Sequence, residues 1–377
     1  MENERQPVSS ASDLLARVRA FIAKSGAEEG GDEGFNRLAL DLFAFQFEGV
    51  PIYRQLCQKR GIGPGSISHW SQIPALPTSA FREYVVSSLA ENDRGRVFFS
   101  SGTTGHVPSR HFHNNASLSL YEASLLPWFE RNFPCADPAF EAGRTTFIFL
   151  TPSPVLAPHS SLVHMFKAVR QKFGGPESLY AGQLEKDGSW SLDFNQLGSA
   201  MREAISDRRA VGLLGTAFSF VHWLDYLAAQ NIQLRLPAGS RILETGGYKG
   251  RSRVVAKAEL RRLIKKYMAV PDSHIVTEYG MCELSSQAYD GVAGQPRPAV
   301  GIFRFPPWAR TQIISPETGA VAAAGETGLL RVFDPANIHS VMAVQTEDLA
   351  VSRDDGFELL GRAESSEPRG CSLLAAT

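Results

Sequence analysis

Val97-Phe98-Phe99-Ser100-Ser101-Gly102-Thr103-Thr104-Gly105 is the stretch on which the reading of this 377-residue chain turns. A short apolar run gives way to small hydroxyls set between glycines. Glycine lets backbone N–H groups come close to an anion, and Ser and Thr add further donors. Ser100, Ser101, Gly102, Thr103, Thr104 and Gly105 therefore read as a phosphate-binding loop at the end of a strand. A nucleoside triphosphatase P-loop would end in Gly-Lys-Ser/Thr, whereas Gly105 is followed by His106-Val107-Pro108-Ser109. The loop is of another kind. The same composition also suits an ordinary turn, so the decision passes to the segments around it.

Outward from the loop, apolar strands alternate with amphipathic helices. After Val97–Phe99 the pattern predicts a helix near 118–133, a strand over 146–150 and a helix near 162–173. It continues with a strand over 211–215, a helix near 218–230, a strand over 241–244, a helix near 254–268 and a strand over 275–277. This alternation is that of layered α/β structure. Upstream, Leu14, Leu15, Val18, Phe21 and Ile22 recur at helical spacing. A flexible acidic connection over 27–34 follows, and then a second helical pattern with Leu38, Leu42 and Phe45. Downstream of Gly294, Pro316-Glu317-Thr318-Gly319 and Asp354-Asp355-Gly356 bring turn chemistry and short strands. The expected organisation is a mainly helical segment over 1–95 and an α/β nucleotide-binding core over 96–293. A β-rich subdomain over 294–361 and a short flexible tail over 362–377 carrying Cys371 complete it.

Composition narrows the function. With 43% hydrophobic and 20% charged residues and a net charge of −1, the chain has the balance of an ordinary globular protein. No basic stripe with interleaved aromatics speaks for nucleic acid. No apolar stretch approaches membrane-spanning length, and a cytoplasmic location is expected. Cys57, Cys135, Cys282 and Cys371 lack paired spacing, which argues against a zinc site or a disulfide framework. His106, His111 and His113 complete no metal-ligand spacing and read as part of a polar loop. His164 and His222 sit in apolar helices, as core histidines or as the lining of an acyl pocket.

Four further segments join the loop. Glu244-Thr245-Gly246-Gly247 follows a strand, and its glycines allow a flat ring to lie against backbone. Tyr279-Gly280-Met281-Cys282-Glu283 offers an aromatic face for a base and a carboxylate for a hard cation such as Mg²⁺. Thr346-Glu347-Asp348 supplies a short carboxylate for ribose hydroxyls, and Gly361-Arg362 a fixed cation. In this order the segments resemble the motifs of the adenylate-forming superfamily of acyl- and aryl-CoA synthetases, luciferases and nonribosomal adenylation domains. Within it the chain resembles the LuxE-like acyl-protein synthetases. Ile73 through Phe81 (IPALPTSAF), Glu244 through Arg251 (ETGGYKGR) and the ending Arg369-Gly370-Cys371-Ser372-Leu373 carry that likeness.

The resemblance implies an α/β fold, the large N-terminal domain of an adenylate-forming enzyme, with the small C-terminal domain absent. It implies a ligase forming a carbon–sulfur bond: ATP, with Mg²⁺ on Glu283, activates a fatty acid as acyl-AMP, and the acyl group passes to Cys371 for delivery to a fatty acid reductase. Ser100 through Gly105, Gly246, Gly247, Tyr279, Asp348 and Arg362 are then the nucleotide-binding residues, and Glu283 and Cys371 the catalytic ones. Three departures accompany the likeness. The phosphate loop ends without the usual lysine, with Ser109 and Arg110 near its position. Cys282 replaces the threonine of the Tyr-Gly-x-Thr-Glu motif, and the catalytic lysine of the missing domain has no counterpart. Transfer to CoA or to a carrier-protein thiol, or nucleotide binding without catalysis, are the alternatives. A dinucleotide reductase fits poorly, because Gly61-Ile62-Gly63-Pro64-Gly65 lacks the G-x-G-x-x-G spacing.

Overall fold

The computed structural model describes residues 10–25, 31–100, 107–133, 145–246, 255–296 and 301–363. The N-terminal part is helical: α1 (Ala11–Ser25), α2 (Asp32–Gly49), α3 (Pro51–Lys59) and the single turn α4 (Ala80–Glu83). Leu14, Val18 and Ile22 of α1 are buried, as their helical spacing requires. Between α3 and α4 lies β1 (Leu76–Pro77).

β2 (Arg96–Phe99) pairs antiparallel with β3 (Arg110–His113), which leads into α5 (Asn115–Asn132). The candidate phosphate loop is thus the connection of a two-stranded hairpin. This differs from the expectation that Val97–Phe99 belongs to the main alternating series. Asn114 caps α5 by accepting a hydrogen bond from the Ser117 N–H at 2.9 Å, while Ser117 Oγ accepts from the Asn114 N–H at 3.0 Å.

The alternating region follows as β4 (Thr146–Phe149), α6 (Ser161–Phe173), β5 (Leu179–Tyr180), the hairpin β6 (Gly182–Leu184) and β7 (Trp190–Leu192), and α7 (Phe194–Ser206). It runs on through β8 (Val211–Thr216), α8 (Ala217–Ala229), β9 (Arg241–Thr245), α9 (Lys257–Met268), β10 (Ile275–Tyr279) and β11 (Ala288–Tyr289). The sheet order is β11-β10-β9-β8-β4-β5, parallel except for β11. Side chains alternate along each strand, so consecutive apolar residues feed two cores. Phe147, Phe149, Leu214, Leu243 and Val276 join Phe129 of α5 and Phe166 of α6. Ile148, Leu213, Ile242 and Ile275 join Leu197 of α7, Trp223 of α8 and Ile264 of α9. Burial on both faces is why these strands read as continuous apolar runs.

The C-terminal sheet contains β12 (Ile302–Phe303), β13 (Arg310–Ile314), β14 (Thr327–Phe333), β15 (Ala343–Arg353) and β16 (Gly356–Arg362), in the order β12-β16-β15-β14-β13. β1 adds in parallel to the start of β15, with Leu76 opposite Val344. Among the described residues, no helix is long and apolar enough to cross a membrane.

Candidate functional site

Carboxyl ends of parallel strands are where open α/β sheets bind ligands. Thr245 ends β9 and Tyr279 ends β10 there. The Tyr279 hydroxyl donates to Asp348 Oδ2 at 2.7 Å. Its ring stands among Phe303, Phe305 and Phe357, with centroids 5.7–6.2 Å away. On β15, a register irregularity between Leu349 and Ala350 sets Asp348 opposite Arg362 of β16. Arg362 Nε lies 3.6 Å from Asp348 Oδ1. Burial raises the Asp348 pKa, against the lowering by the Tyr279 hydrogen bond and the nearby Arg362 charge. Three residues read from distant motifs therefore meet in one cluster.

Glu283 is buried a few residues beyond Tyr279. Its carboxylate accepts a hydrogen bond from the Cys282 thiol at 3.2 Å, and its carbonyl accepts one from Asn337 Nδ2 at 2.8 Å. A buried carboxylate with no basic side chain on it among the described residues is chemically suited to a hard cation, which would complete its shell with phosphate oxygens and water. Among the described residues, no cluster of three or more His, Cys, Asp or Glu forms a protein-only metal site.

Ser100 closes the neck of the loop. Its N–H donates to the Ser109 carbonyl at 3.1 Å, and its Oγ accepts from the Ser109 N–H at 2.9 Å. Ser101, Gly102, Thr103, Thr104 and Gly105 lie outside the described residues, as do Gly247 and Cys371. Gly246 has φ +69°, a left-handed conformation that glycine adopts without penalty, and it turns the chain out of β9.

Arg110 begins β3 directly opposite Phe99, at the base of the same neck. Its Nε is buried without a hydrogen-bond partner, and Nη2 donates to the Arg82 carbonyl at 3.4 Å. No carboxylate pairs with it among the described residues. Arg82 in turn sits 3.5 Å from Glu347, next to Asp348. Arg82 was not apparent from the sequence, because a lone arginine in a one-turn helix carries no pattern.

His111 and His113 are not part of a polar loop: both are buried on β3. Their alternation on a four-residue strand turns them into the interior, where the rings lie 4.3 Å apart. His111 Nδ1 is 2.7 Å from the Cys282 carbonyl, and burial lowers its pKa to about 4. His164 is likewise pushed down to about 4 by burial, with its Nε2 3.1 Å from Glu122. Cys57 and Cys282 are buried, as expected of packed thiols; Cys135 lies outside the described residues. A cleft of about 610 Å³ opens beside α6, lined by Arg96, Val155, His164, Lys167, Arg170 and Tyr180 among others. None of the predicted nucleotide residues among the described ones lines it.

Residues 166–376, more than half of the chain, match the family described as acyl-protein synthetase, LuxE. The chain is 18% identical over 357 residues to the long-chain-fatty-acid–luciferin-component ligase of Vibrio harveyi, covering 90% of this chain and 86% of that protein. Among solved structures it is similar to 2-hydroxyisobutyryl-CoA ligase in an open conformation with 2-HIB-AMP and CoA. That match has a TM-score of 0.61 at 11% identity, over 98% of this chain and 77% of the other. The thioesterification state of the same ligase also gives a TM-score of 0.61, at 12% identity over 96% of this chain and 73% of the other. The fold is that of the adenylate-forming ligases.

Proposed function

Because the chain belongs to the LuxE family of acyl-protein synthetases, we propose that it uses ATP to activate a fatty acid as acyl-AMP and passes the acyl group to Cys371 for a reductase to collect. The observation that carries the reading is the meeting of Tyr279, Asp348 and Arg362 at the carboxyl end of the parallel sheet. In it, Tyr279 presents a face to the adenine, with Gly246 and Gly247 on the other side, and Asp348 takes the ribose hydroxyls. Ser100 through Gly105 wrap the phosphates.

The acid's carboxylate oxygen attacks the α-phosphorus, the bond to the bridging oxygen breaks, and pyrophosphate leaves. Charge crowds onto the phosphoryl oxygens, so the protein acts by positioning and by positive electrostatics. Arg110, a guanidinium at the loop's neck without a carboxylate partner among the described residues, supplies that charge from this chain. Mg²⁺ held by Glu283 supplies further neutralisation of the phosphates when bound. The Cys371 thiolate then attacks the acyl carbon, AMP leaves, and the thiol proton goes to solvent; Arg369, two residues away, favours the thiolate.

The test is acylation by labelled fatty acid with ATP and Mg²⁺, followed by denaturing electrophoresis and hydroxylamine. Label that depends on ATP, is released by hydroxylamine and is lost in Cys371→Ser, while pyrophosphate release continues, supports the reading. Normal labelling of Cys371→Ser sinks the acceptor assignment. Pyrophosphate release without any label points instead to CoA or a carrier protein as acceptor.

A further inference from the structure

Tyr279 and Glu278 are consecutive on β10 and face opposite sides of the sheet. Tyr279 turns to Asp348. Glu278 turns to the side covered by α5 and α6, where Thr245 of the neighbouring strand also points and its hydroxyl donates to Glu278 Oε2. The other carboxyl oxygen lies against Gly280: a Cβ there would sit 2.2 Å from Oε1 and 3.5 Å from Gln287 Cγ. Gln287 and Glu278 are therefore neighbours. Tyr289 stands directly across from Glu278 in the β10–β11 register.

All three side chains are buried, and their hydrogen bonding is incomplete. The Tyr289 hydroxyl and Gln287 Oε1 have no partner among the described residues, while Gln287 Nε2 donates to the Tyr121 hydroxyl at 3.4 Å. The Glu278 charge raises the Tyr289 and Tyr121 hydroxyl pKa values in addition to burial, which places the four groups in one space. A buried polar atom left unmatched is costly, so each such group has a partner in the working protein. The groups sit one residue from the nucleotide cluster, on the opposite face of the same strand end, beside Tyr121 of α5. On the adenylation reading, the carboxylate of the acid is brought to this same strand end.

We infer that Glu278, Tyr289 and Gln287 form a polar subsite for a hydroxyl on the chain of the acid, so that the substrate class is a hydroxy-fatty acid. This rests on the adenylation reading above and narrows it. A chain hydroxyl accepts from the Tyr289 O–H and donates to Gln287 Oε1 or Glu278; a bare hydrocarbon satisfies neither. A site built to hydrogen-bond a substrate hydroxyl rejects the analogue that lacks it far more strongly than an apolar pocket rejects an added methylene.

The experiment compares matched pairs of straight-chain acids, octanoic to tetradecanoic, with and without a hydroxyl at the third or the terminal carbon. Acid-dependent pyrophosphate release by the full chain is the readout. The expected result is a kcat/KM at least roughly tenfold higher for one hydroxy series. Tyr289→Phe should lower this ratio and Glu278→Leu should bring it near one, chiefly through the KM of the hydroxy acid, while Glu278→Gln keeps most of it. Equal kcat/KM for the pairs in the wild type, or a ratio unmoved by Tyr289→Phe and Glu278→Leu, overturns the proposal and leaves a water-filled structural cluster. If no acid of either kind drives pyrophosphate release, it is the adenylation reading that fails. Binding of the same pairs by calorimetry then decides the subsite, and equal affinities overturn it.

Discussion

The Asp348 carboxylate is held from two sides, by a phenol hydroxyl and by a guanidinium, before any ribose arrives. On the proposed reading, removing it takes away contacts to nucleotide, and it leaves the Tyr279 hydroxyl without the carboxylate it donates to. Asp348→Ala is expected to raise KM for ATP by roughly ten- to a hundredfold, as loss of a charged hydrogen bond implies, with a smaller change in kcat; steady-state pyrophosphate release measures it. Glu278 gives a pH prediction. Burial raises its pKa from 4.5 to about 7, against the lowering by Thr245. The folded state thus holds the proton more tightly than the unfolded chain, and Glu278 loses stability for the fold as pH rises from 4.5 through 7. Glu278→Gln carries no such loss. The variant should gain stability relative to wild type across that window, levelling at about 3–4 kcal/mol above it on the order-of-magnitude scale of 1.4 kcal/mol per pKa unit. Urea unfolding at a series of pH values reads the difference, and a flat difference contradicts the burial of Glu278. Tyr279, Asp348 and Arg362 were legible in the sequence because each stands in a short motif and the motifs come in the order of the adenylate-forming family. Glu278 was not, since one acid in an apolar strand gives no sign of which face it takes or what lies there.

Helices α5, α6, α8 and α9 and strands β4, β8, β9 and β10 were read close to their observed limits. Their apolar residues alternate between two buried faces, and α5, α6 and α8 start at the caps Asn114, Ser160 and Thr216; α7, capped by Asp193, and β5 were not read from the sequence. The β2–β3 hairpin was missed because β3 is Arg-His-Phe-His, a sequence whose polar residues suit a loop until its partner strand is known. β1 was missed for a similar reason: two residues ending in proline leave no period to detect. Close strand approach also sets small-residue positions. A Cβ on Gly215 of β8 would lie 2.7 Å from Leu150 Cβ, inside the aliphatic packing beside β4. Gly215→Ala should cost about 1–3 kcal/mol by forcing the two apart, seen as a lower urea midpoint with an unchanged slope.

Where the α/β core meets the C-terminal sheet, Asp334 follows β14 and ties the two together. It is buried and accepts hydrogen bonds from the Ser285 N–H at 2.9 Å, the Ser286 N–H at 2.7 Å, the Ser286 Oγ at 2.8 Å and the Ala336 N–H at 3.1 Å. Ser285 and Ser286 directly follow the Glu283 segment, so the same carboxylate fixes the metal candidate against the sheet that carries Asp348. Asp334→Ala strands these donors and is expected to destabilise the protein by about 3–5 kcal/mol, measured by chemical denaturation. Long-range ties of this kind leave no local mark in a sequence; residues 286 and 334 are distant along the chain, and only folding brings them into contact.

Arg362, the last residue of β16, rests on Asp348, and Cys371 follows it by nine positions (371 minus 362). Nine residues reach at most about 30 Å when fully extended. On the proposed assignment of Cys371 as acceptor, its encounter with acyl-AMP is set by this length of chain rather than by how many enzyme molecules share the solution. On that assignment activation and capture occur within one molecule, and the reactive anhydride is met by a thiol that is covalently bound to stay within reach.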